Sequence, residues 1–271
     1  MNLNEKIEKN NNFPADYKYY WGYQYSLGKD VVVSYLSRLN VFDKGDRVME
    51  IGSAEGGVLA AFVEAGAKDA LATDIARNRI EMGRDFASFL NLPIEFKYHD
   101  ILKEPVHPEW KEAADLVILR DVIEHLDDTL LALNKIKEFI KPGGFLYITF
   151  PPYYSPYGGH QHNLKNFWGK LPYIHYLPDW IFNKLITSGR KADIEEVKRL
   201  RKIRMTPEKI IRAAEKAGYE LYRKDYYLLR PVFKMKFGLP TIKITPLSSL
   251  PLVKDLFSLE ASYILKIKET E

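Results

Sequence analysis

The sequence predicts an α/β fold in which helices cover both faces of a doubly wound, mostly parallel seven-stranded sheet. Between residues 45 and 152, five short apolar segments alternate with segments of helical period, which is the pattern of a parallel sheet. Some of these segments, such as 116–119, are apolar throughout, which fits strands buried on both faces. Two alternating apolar segments near the C-terminus complete the seven strands.

The hydrophobic period predicts each element in turn. An aromatic-rich stretch at 13–25 precedes a helix at 28–39, whose apolar residues recur with a helical period. The Lys-Pro-Gly-Gly segment at 141–144 predicts a helix stop and a turn, whereas Thr206 followed by Pro207 predicts a helix start. The other predicted elements are strands 48–51, 69–73, 94–98, 114–119, 145–150, 220–229 and 261–268, and helices 58–65, 77–90, 128–140 and 206–217.

Four segments follow from this order of elements. Residues 1–44 form an N-terminal helical and aromatic cap, and residues 45–152 form the sheet core. The alternation stops after the fifth strand, so residues 153–205 are predicted to be an inserted lid that recognises the substrate. Residues 206–271 complete the core with a helix and two strands, and carry a loop at 231–258 that is rich in lysine, proline and apolar residues.

Composition excludes several classes of protein. The chain has no cysteine, so disulfides, thiolate catalysis and cysteine-bound metals are excluded. Residues 1–12 contain no apolar signal segment and no run of eighteen apolar residues occurs, which predicts a cytoplasmic protein. Residues 1–150 carry a net charge of −6 and residues 151–271 a net charge of +10, which indicates either an anionic partner or a solvated basic face. The oligomeric state is left open.

A glycine-rich turn at 52–57 follows the first predicted strand. Such a turn presents backbone N–H groups and a helix N-terminus at the carboxyl edge of the sheet, where ligands of α/β proteins bind. Glu50 precedes the turn inside an apolar strand, and a buried carboxylate requires a partner or a ligand to hydrogen-bond.

Acidic residues recur at the ends of the next two strands. Asp74 follows Glu50 by 24 residues, the separation at which a carboxylate meets the ribose hydroxyls of a bound nucleotide. Asp100 and Ile101 could bind an adenine through its amino group and its ring face, respectively. No lysine follows the turn as in a triphosphate-binding loop, so the pattern predicts a site for an adenosyl group.

Residues 50–56 resemble the E/D-x-G-x-G-x-G signature of class I S-adenosylmethionine-dependent methyltransferases, and the blocks at 120–126 and 141–144 resemble later motifs of the type 11 and type 12 small-molecule branch. The resemblance covers residues 45–152 and, more weakly, the late helix and strands. It implies a Rossmann-like fold with S-adenosyl-L-methionine as cofactor. Ala54 replaces the usual glycine and would be strained by about 1–2 kcal/mol if its φ is positive. The implied cofactor-binding residues are Glu50, Gly52, Ser53, Ala54, Gly56, Asp74, Ile75, Asp100, Ile101 and Arg120.

Histidines after the fifth strand are the candidate catalytic residues. His160 and His162 lie in a glycine-flanked loop next to the predicted methyl site, so either could remove a proton from a hydroxyl acceptor. The alternative is that they only form local hydrogen bonds or contact the substrate. Asp121, Glu124 and His125 share one face of a helical turn and have a spacing that could hold a metal, but capping and packing roles are favoured and no metal is predicted.

These observations predict a methyltransferase for a small or medium acceptor, with an oxygen of a sugar, glycan precursor or quinone-like ring as the methylated atom. The acceptor could be anionic or lipid-linked, since the 231–258 loop would suit peripheral contact with a membrane. No nucleic-acid partner is expected, because Phe150 precedes Pro151 where amino-methyltransferases of bases have Asn or Asp. The alternatives are a NAD(P)-dependent oxidoreductase, since Gly52-x-Ala54-x-x-Gly57 fits a degenerate dinucleotide fingerprint, and a non-catalytic protein that binds an adenosyl ligand.

Overall fold

The predicted alternation of strands and helices is present in the computed structural model, which describes residues 2–164, 166–250 and 252–267. The strands within these ranges are β1 (Arg47–Ile51), β2 (Asp69–Asp74), β3 (Ile94–Tyr98), β4 (Ala114–Arg120), β5 (Ile140–Phe150), β6 (Tyr219–Leu229), β7 (Ile242–Lys243) and β8 (Glu260–Ile267). The helices are α1 (Leu3–Lys9), α2 (Ala15–Leu27), α3 (Ser34–Arg38), α4 (Gly57–Glu64), α5 (Arg77–Leu90), α6 (Thr129–Lys137), α7 (Asp179–Leu185), α8 (Lys191–Ile203), α9 (Pro207–Lys216), α10 (Val232–Phe237) and α11 (Val253–Leu256).

The strands form one sheet in the order β3-β2-β1-β4-β5-β8-β6-β7. β1 to β5 are parallel, whereas β8, β6 and β7 each pair antiparallel. The predicted fold class is confirmed, with one correction to the count: the described residues form eight strands instead of seven, because two residues of the 231–258 loop pair with β6. The strand order reverses between β1 and β4, so their carboxyl ends flank the place where ligands of such sheets bind.

Both faces of the sheet are buried. In β4, Leu116 and Ile118 pack into one hydrophobic cluster, whereas Val117 and Leu119 pack into the cluster on the opposite face. This alternation explains why the strand is apolar at every position. None of the helices in the described ranges is both long and apolar enough to cross a membrane.

Two element predictions were wrong at their edges. The aromatic stretch at 13–25 is mostly helical, since α2 begins at Ala15, and the predicted helix at 28–39 consists of a π-helical turn (Gly28–Val33) and the short α3. The 141–144 segment lies within β5, because Ile140 already pairs with Ala114 before a shift in register. Gly143 has a φ of 78° there, so the segment is an irregular part of a strand and α6 ends earlier than predicted.

α2 lies across the start of α4. A Cβ atom added to Gly57 would lie 2.7 Å from the backbone oxygen of Trp21, so only glycine allows the two helices to approach so closely. Trp21 and Tyr25 are buried against α4 and stack with a centroid distance of 5.1 Å. The aromatic residues of α2 therefore hold this helix over the carboxyl edge of β1.

Residues 153–205 contain α7, α8 and several single 3-10 turns. Leu164, Ile174, Phe182, Ile186 and Val197 are buried together and form a small core of this segment. Other aromatic side chains, including Phe167 and Trp180, are exposed. The lid role of the segment and the segment boundaries stay predictions, as does the end of the last strand, because Lys268 lies outside the described residues.

Candidate active site

The turn between β1 and α4 is fixed by hydrogen bonds to the end of β2. The backbone N–H groups of Gly52 and Ser53 both donate to the carbonyl oxygen of Thr73, over 2.8 and 3.0 Å. Gly52 has a φ of 72°, and a Cβ atom there would lie 2.3 Å from Cγ2 of Val122. The glycine is thus required both by the backbone conformation and by the close approach of the chain that follows β4.

Ala54 occupies the left-handed region of backbone conformation, with a φ of 48°. Its N–H donates to Oδ2 of Asp74 over 2.8 Å, and Oδ1 of the same carboxylate accepts from the N–H of Ala76 at 2.8 Å. Because L-residues are strained in this region by about 1–2 kcal/mol, the bond from Asp74 helps to hold a conformation that alanine disfavours. Asp74 therefore ties the turn to β2.

Glu50 is the penultimate residue of β1 and its side chain is buried, at 4% exposed. Its Oε2 atom accepts no hydrogen bond from the described residues. Burial raises the pKa of Glu50 to about 8, although the positive charge of Arg120 opposes the shift. A buried carboxyl group with one unpartnered oxygen fits a site that binds a hydrogen-bond donor of a ligand.

Glu50 lies on the wall of a crevice of ≈ 90 Å³ at the carboxyl edge of β1 and β4. This volume is well below the roughly 300–1,000 Å³ of typical ligand sites. The reason lies in α2, because Gln24 accepts a hydrogen bond of 3.0 Å from Nη1 of Arg120 and Tyr20 lies beside it. The crevice is lined by Tyr20, Gln24, Glu50, Gly52, Ser53, Ala54, Val58, Arg120, Asp121 and Val122.

The other predicted cofactor residues do not line the crevice in the described structure. Gly56 precedes α4 with a φ of 74°. Asp74 binds the turn, and the side chain of Ile75 next to it is exposed. Asp100 accepts hydrogen bonds from the backbone that follows it and pairs with Lys103, whereas Ile101 is buried in the core.

A second and larger cavity of ≈ 660 Å³ adjoins the crevice, and Tyr20 and Asp121 line both. His160 and His162 line this cavity, as do the cations Arg230 and Lys236. Burial lowers the pKa of both histidines, well below the usual value for His160. The predicted catalytic histidines therefore lie together as neutral imidazoles beside the crevice.

An ion network centred on the buried Arg230 lies beside the two cavities. Nη2 of Arg230 contacts both carboxylate oxygens of Asp121, at 2.7 and 2.6 Å, and its guanidinium also donates to Oε2 of Glu260 over 2.9 Å. Although burial opposes the shift, Arg230 lowers the pKa of Asp121. Asp121 is therefore held as a carboxylate by an arginine, which leaves it unsuited to join the metal-ligand set considered with Glu124 and His125.

Glu124 and His125 instead approach His160. One ligand atom from each of the three residues lies within 4.8 Å of the others. Nδ1 of His125 contacts Oε1 of Glu196 at 2.5 Å, which directs its Nε2 atom toward Glu124. The structure thus replaces Asp121 with His160 in the cluster that the sequence suggested.

Sequence reasoning missed three residues of the site: Gln24, Arg230 and Glu196. Gln24 belongs to an aromatic helix whose position could not be predicted. Arg230 directly follows β6, and no sequence motif marks an arginine at that position. Glu196 lies on the amphipathic helix α8, where an acidic residue predicts only a solvated face.

Comparisons with known proteins agree with this geometry. Residues 28–224 match the family model described as "Methyltransferase domain". No curated protein sequence matches the chain. A SAM-dependent methyltransferase from Aquifex aeolicus has a similar fold, with 14% identity, a TM-score of 0.53 and coverage of 98% of each chain.

Two further solved structures share the fold. An S-adenosylmethionine-dependent methyltransferase from Mesorhizobium loti is 12% identical with a TM-score of 0.53, covering 88% of this chain and 99% of that one. Phosphoethanolamine N-methyltransferase 2 from Haemonchus contortus, solved in complex with S-adenosyl-L-methionine, is 14% identical with a TM-score of 0.57, covering 100% of this chain and 60% of that one. At such identities the likeness establishes the fold alone.

Proposed function

The chain belongs to the methyltransferase-domain family, and on this premise we propose that it transfers a methyl group from S-adenosyl-L-methionine to a hydroxyl oxygen of a small or medium anionic acceptor. The observation that supports this best is the pair of adjoining cavities, a crevice at the switch point of the sheet and a larger cavity beside it, which share Tyr20 and Asp121. Family membership sets aside the oxidoreductase and the non-catalytic alternatives.

S-adenosyl-L-methionine supplies the methyl group, and the crevice is the proposed place for it. Glu50 offers an unpartnered carboxyl oxygen, and the turn at 52–56 allows a ligand to approach the backbone closely. Gln24 accepts a hydrogen bond from the guanidinium of Arg120, and Tyr20 lies beside it in the crevice. Binding of S-adenosyl-L-methionine therefore requires Gln24 and Tyr20 to move away from the crevice. Asp74 and Asp100 stay candidates for the adenosyl hydroxyl and amino groups.

The larger cavity is the proposed acceptor site. Arg230 is already neutralised by Asp121 and Glu260, so Lys236 is the cation more available to an acceptor charge. Lys236 lines the cavity with its ammonium 4.2 Å from the ring centre of Tyr23. A ring or sugar with a carboxylate or phosphate group fits this combination of aromatic surface and positive charge.

The chemistry needs little more than placement and one proton acceptor. In the transfer, the acceptor oxygen forms a bond to the methyl carbon while the carbon–sulfur bond breaks and its electron pair stays on sulfur. We assign the hydroxyl proton to the imidazole of His162, because His160 directs Nε2 toward Glu124. His162 lies at the rim of the cavity and has no hydrogen-bond partner among the described residues.

Donor binding and methyl transfer test the proposal separately. Calorimetry is expected to show binding of S-adenosyl-L-methionine, and a panel of hydroxylated sugar phosphates and phenolic acids is expected to include a methylated acceptor. His162→Asn should then lower kcat by about 10²–10⁴-fold with unchanged donor affinity. His107→Asn changes an exposed histidine that does not line the cavity, and it should leave kcat unchanged. Absence of donor binding, or full activity of His162→Asn, contradicts the assignment.

Lys236 and Lys234 give a matched pair for the acceptor charge. Both lysines are exposed on α10, but of the two only Lys236 lines the cavity. Lys236→Gln should raise KM for an anionic acceptor several-fold, and Lys234→Gln should leave it unchanged. Equal effects of the two substitutions would show that the basic face acts only through its overall charge.

A lipid-linked acceptor is the form of this proposal that the 231–258 loop favours. Phe237 lines the cavity and is 64% exposed, and Leu239, Leu247 and Leu250 are also exposed. The lysines of α10 lie among these apolar side chains, a combination that suits an anionic membrane surface. Co-sedimentation with phosphatidylglycerol vesicles but not with phosphatidylcholine vesicles is expected, and Phe237→Ser should weaken it; no pelleting with either vesicle contradicts it.

A further inference from the structure

Glu124 is a buried carboxylate whose role the transfer chemistry leaves unexplained. It is 3% exposed, and neither of its oxygens accepts a hydrogen bond from the described residues. A carboxylate buried in this way needs a compensating cation or a proton. Two imidazole nitrogens lie close to it: Nε2 of His125 is 3.7 Å and Nε2 of His160 is 3.9 Å from its Oε1 atom.

These separations are those of metal ligands that lack the metal. Nitrogen and oxygen ligands of zinc lie about 2.0–2.2 Å from the ion, so neighbouring ligands of a tetrahedral site are roughly 3.4 Å apart. The observed 3.7 and 3.9 Å are too long for hydrogen bonds and need to contract by only a few tenths of an ångström. The three ligand atoms form a compact triangle, with no pair more than 4.8 Å apart.

Glu196 provides the supporting contact that metal-binding histidines require. Its Oε1 atom lies 2.5 Å from Nδ1 of His125. A carboxylate that accepts the Nδ1 proton leaves Nε2 with its lone pair directed at the cluster, the arrangement in which histidine binds metals. Glu196 lies on α8, so the 153–205 segment supplies both this contact and His160.

The surrounding charges allow a cation to bind. Arg230 is the cation packed against the cluster, but Asp121 and Glu260 each contact its guanidinium. Glu124 and Glu196 then remain as two carboxyl groups next to two imidazoles, while Arg199 contacts the far oxygen of Glu196. The cluster therefore offers oxygen and nitrogen ligands beside an arginine that is already paired.

We propose that Glu124, His125 and His160 bind a divalent transition-metal cation of the zinc type. Two imidazoles and one carboxylate suit zinc and its neighbours better than magnesium or calcium, which prefer oxygen ligands. All three residues line the ≈ 660 Å³ cavity, so the fourth coordination position faces the acceptor site. That this position takes the acceptor oxygen and lowers the pKa of its hydroxyl rests on the proposed function; binding of the cation does not.

The test is a zinc titration of chelator-treated full-length protein by calorimetry, with cobalt(II) absorption as the spectroscopic readout of a four-coordinate site. One zinc per chain is expected to bind, with magnesium unable to compete. Glu196→Gln should weaken zinc binding about 10–100-fold, because it removes only the orienting contact. Glu124→Gln should abolish binding, and His160→Asn tests the same site from the loop if Glu124→Gln does not fold.

His162→Asn is the matched control, since it changes a histidine of the same loop outside the cluster and should keep the zinc affinity of the natural chain. Far-UV circular dichroism and thermal unfolding without metal establish that each variant is folded. Absence of zinc binding to the natural chain at 100-fold molar excess overturns the proposal. The proposal is also overturned if Glu124→Gln and His160→Asn bind zinc with the same affinity as the natural chain. Neither result depends on donor or acceptor, so a failure here is separate from a failure of methyl transfer.

Discussion

Arg230 is expected to contribute more to stability than any single motif residue of the site. It is the cation shared by Asp121 and Glu260, and the side chain of Glu260 is only 4% exposed. Removal of one partner from a buried ion pair costs roughly 3–5 kcal/mol, because the other charge is left buried without compensation. Asp121 is 37% exposed and contributes little after solvent screening, so Arg230→Met should lower the free energy of unfolding by about 3 kcal/mol at pH 7.5.

The pH dependence of this loss has a definite sign. Burial raises the pKa of Glu260 even with Arg230 present, and without Arg230 the shift grows. An acid whose pKa is raised in the folded state stabilises the protein at low pH and loses that contribution as pH rises from its unfolded value of about 4.5. The deficit of Arg230→Met should therefore be smaller at pH 5 than at pH 7.5.

Urea unfolding followed by circular dichroism measures both quantities, and the Tm should fall by about 6–12 °C. Arg38→Met, at an exposed arginine of α3, is the matched control and should change stability by less than about 0.5 kcal/mol. Arg230→Met combined with Glu260→Gln should recover part of the loss. A deficit below about 1 kcal/mol at pH 7.5, or a deficit that grows toward pH 5, would refute the reasoning.

Two further predictions concern the turn and its carboxylate. Ala54→Gly should raise the free energy of unfolding by about 0.5–1 kcal/mol, because the strain of about 1–2 kcal/mol that it relieves at a φ of 48° exceeds the cost of the freedom that it adds to the unfolded chain; a fall in Tm contradicts this. Glu50→Gln should weaken S-adenosyl-L-methionine binding at least about tenfold in calorimetry. Because the pKa of Glu50 is about 8, the ligand-free protein should lose stability between about pH 4.5 and 8, and Glu50→Gln should flatten that loss in urea unfolding.

Local sequence patterns predicted most of the sheet. The apolar run of β4 and the glycines around Glu50 carried enough information because burial on both faces and positive φ angles select residue types position by position. The prediction failed at 141–144, where lysine, proline and glycine indicated a turn but the segment joins β5. Pairing of Ile140 with Ala114, which lies far away in sequence, overrode the local preference there.

Ala54 shows how far a resemblance extends. The sequence predicted that Ala54 would be strained if its φ were positive, and the φ of Ala54 in the structure is positive. The sequence did not indicate what stabilises this conformation, because the N–H of Ala54 donates a hydrogen bond to Asp74 at the end of the neighbouring strand. Hydrogen bonds between separate strands depend on register, which no local pattern specifies.

The sequence by itself determined the fold class, the methyltransferase family and the residues of the glycine-rich turn. Only the tertiary structure decided which groups surround the reaction: Arg230 meets Asp121 across 109 residues, and Glu196 meets His125 across 71. The tertiary structure also places His160, instead of Asp121, next to Glu124 and His125. The physical reason is that backbone conformation depends on neighbours along the chain, whereas the pairing of buried charges depends on which distant segments pack together.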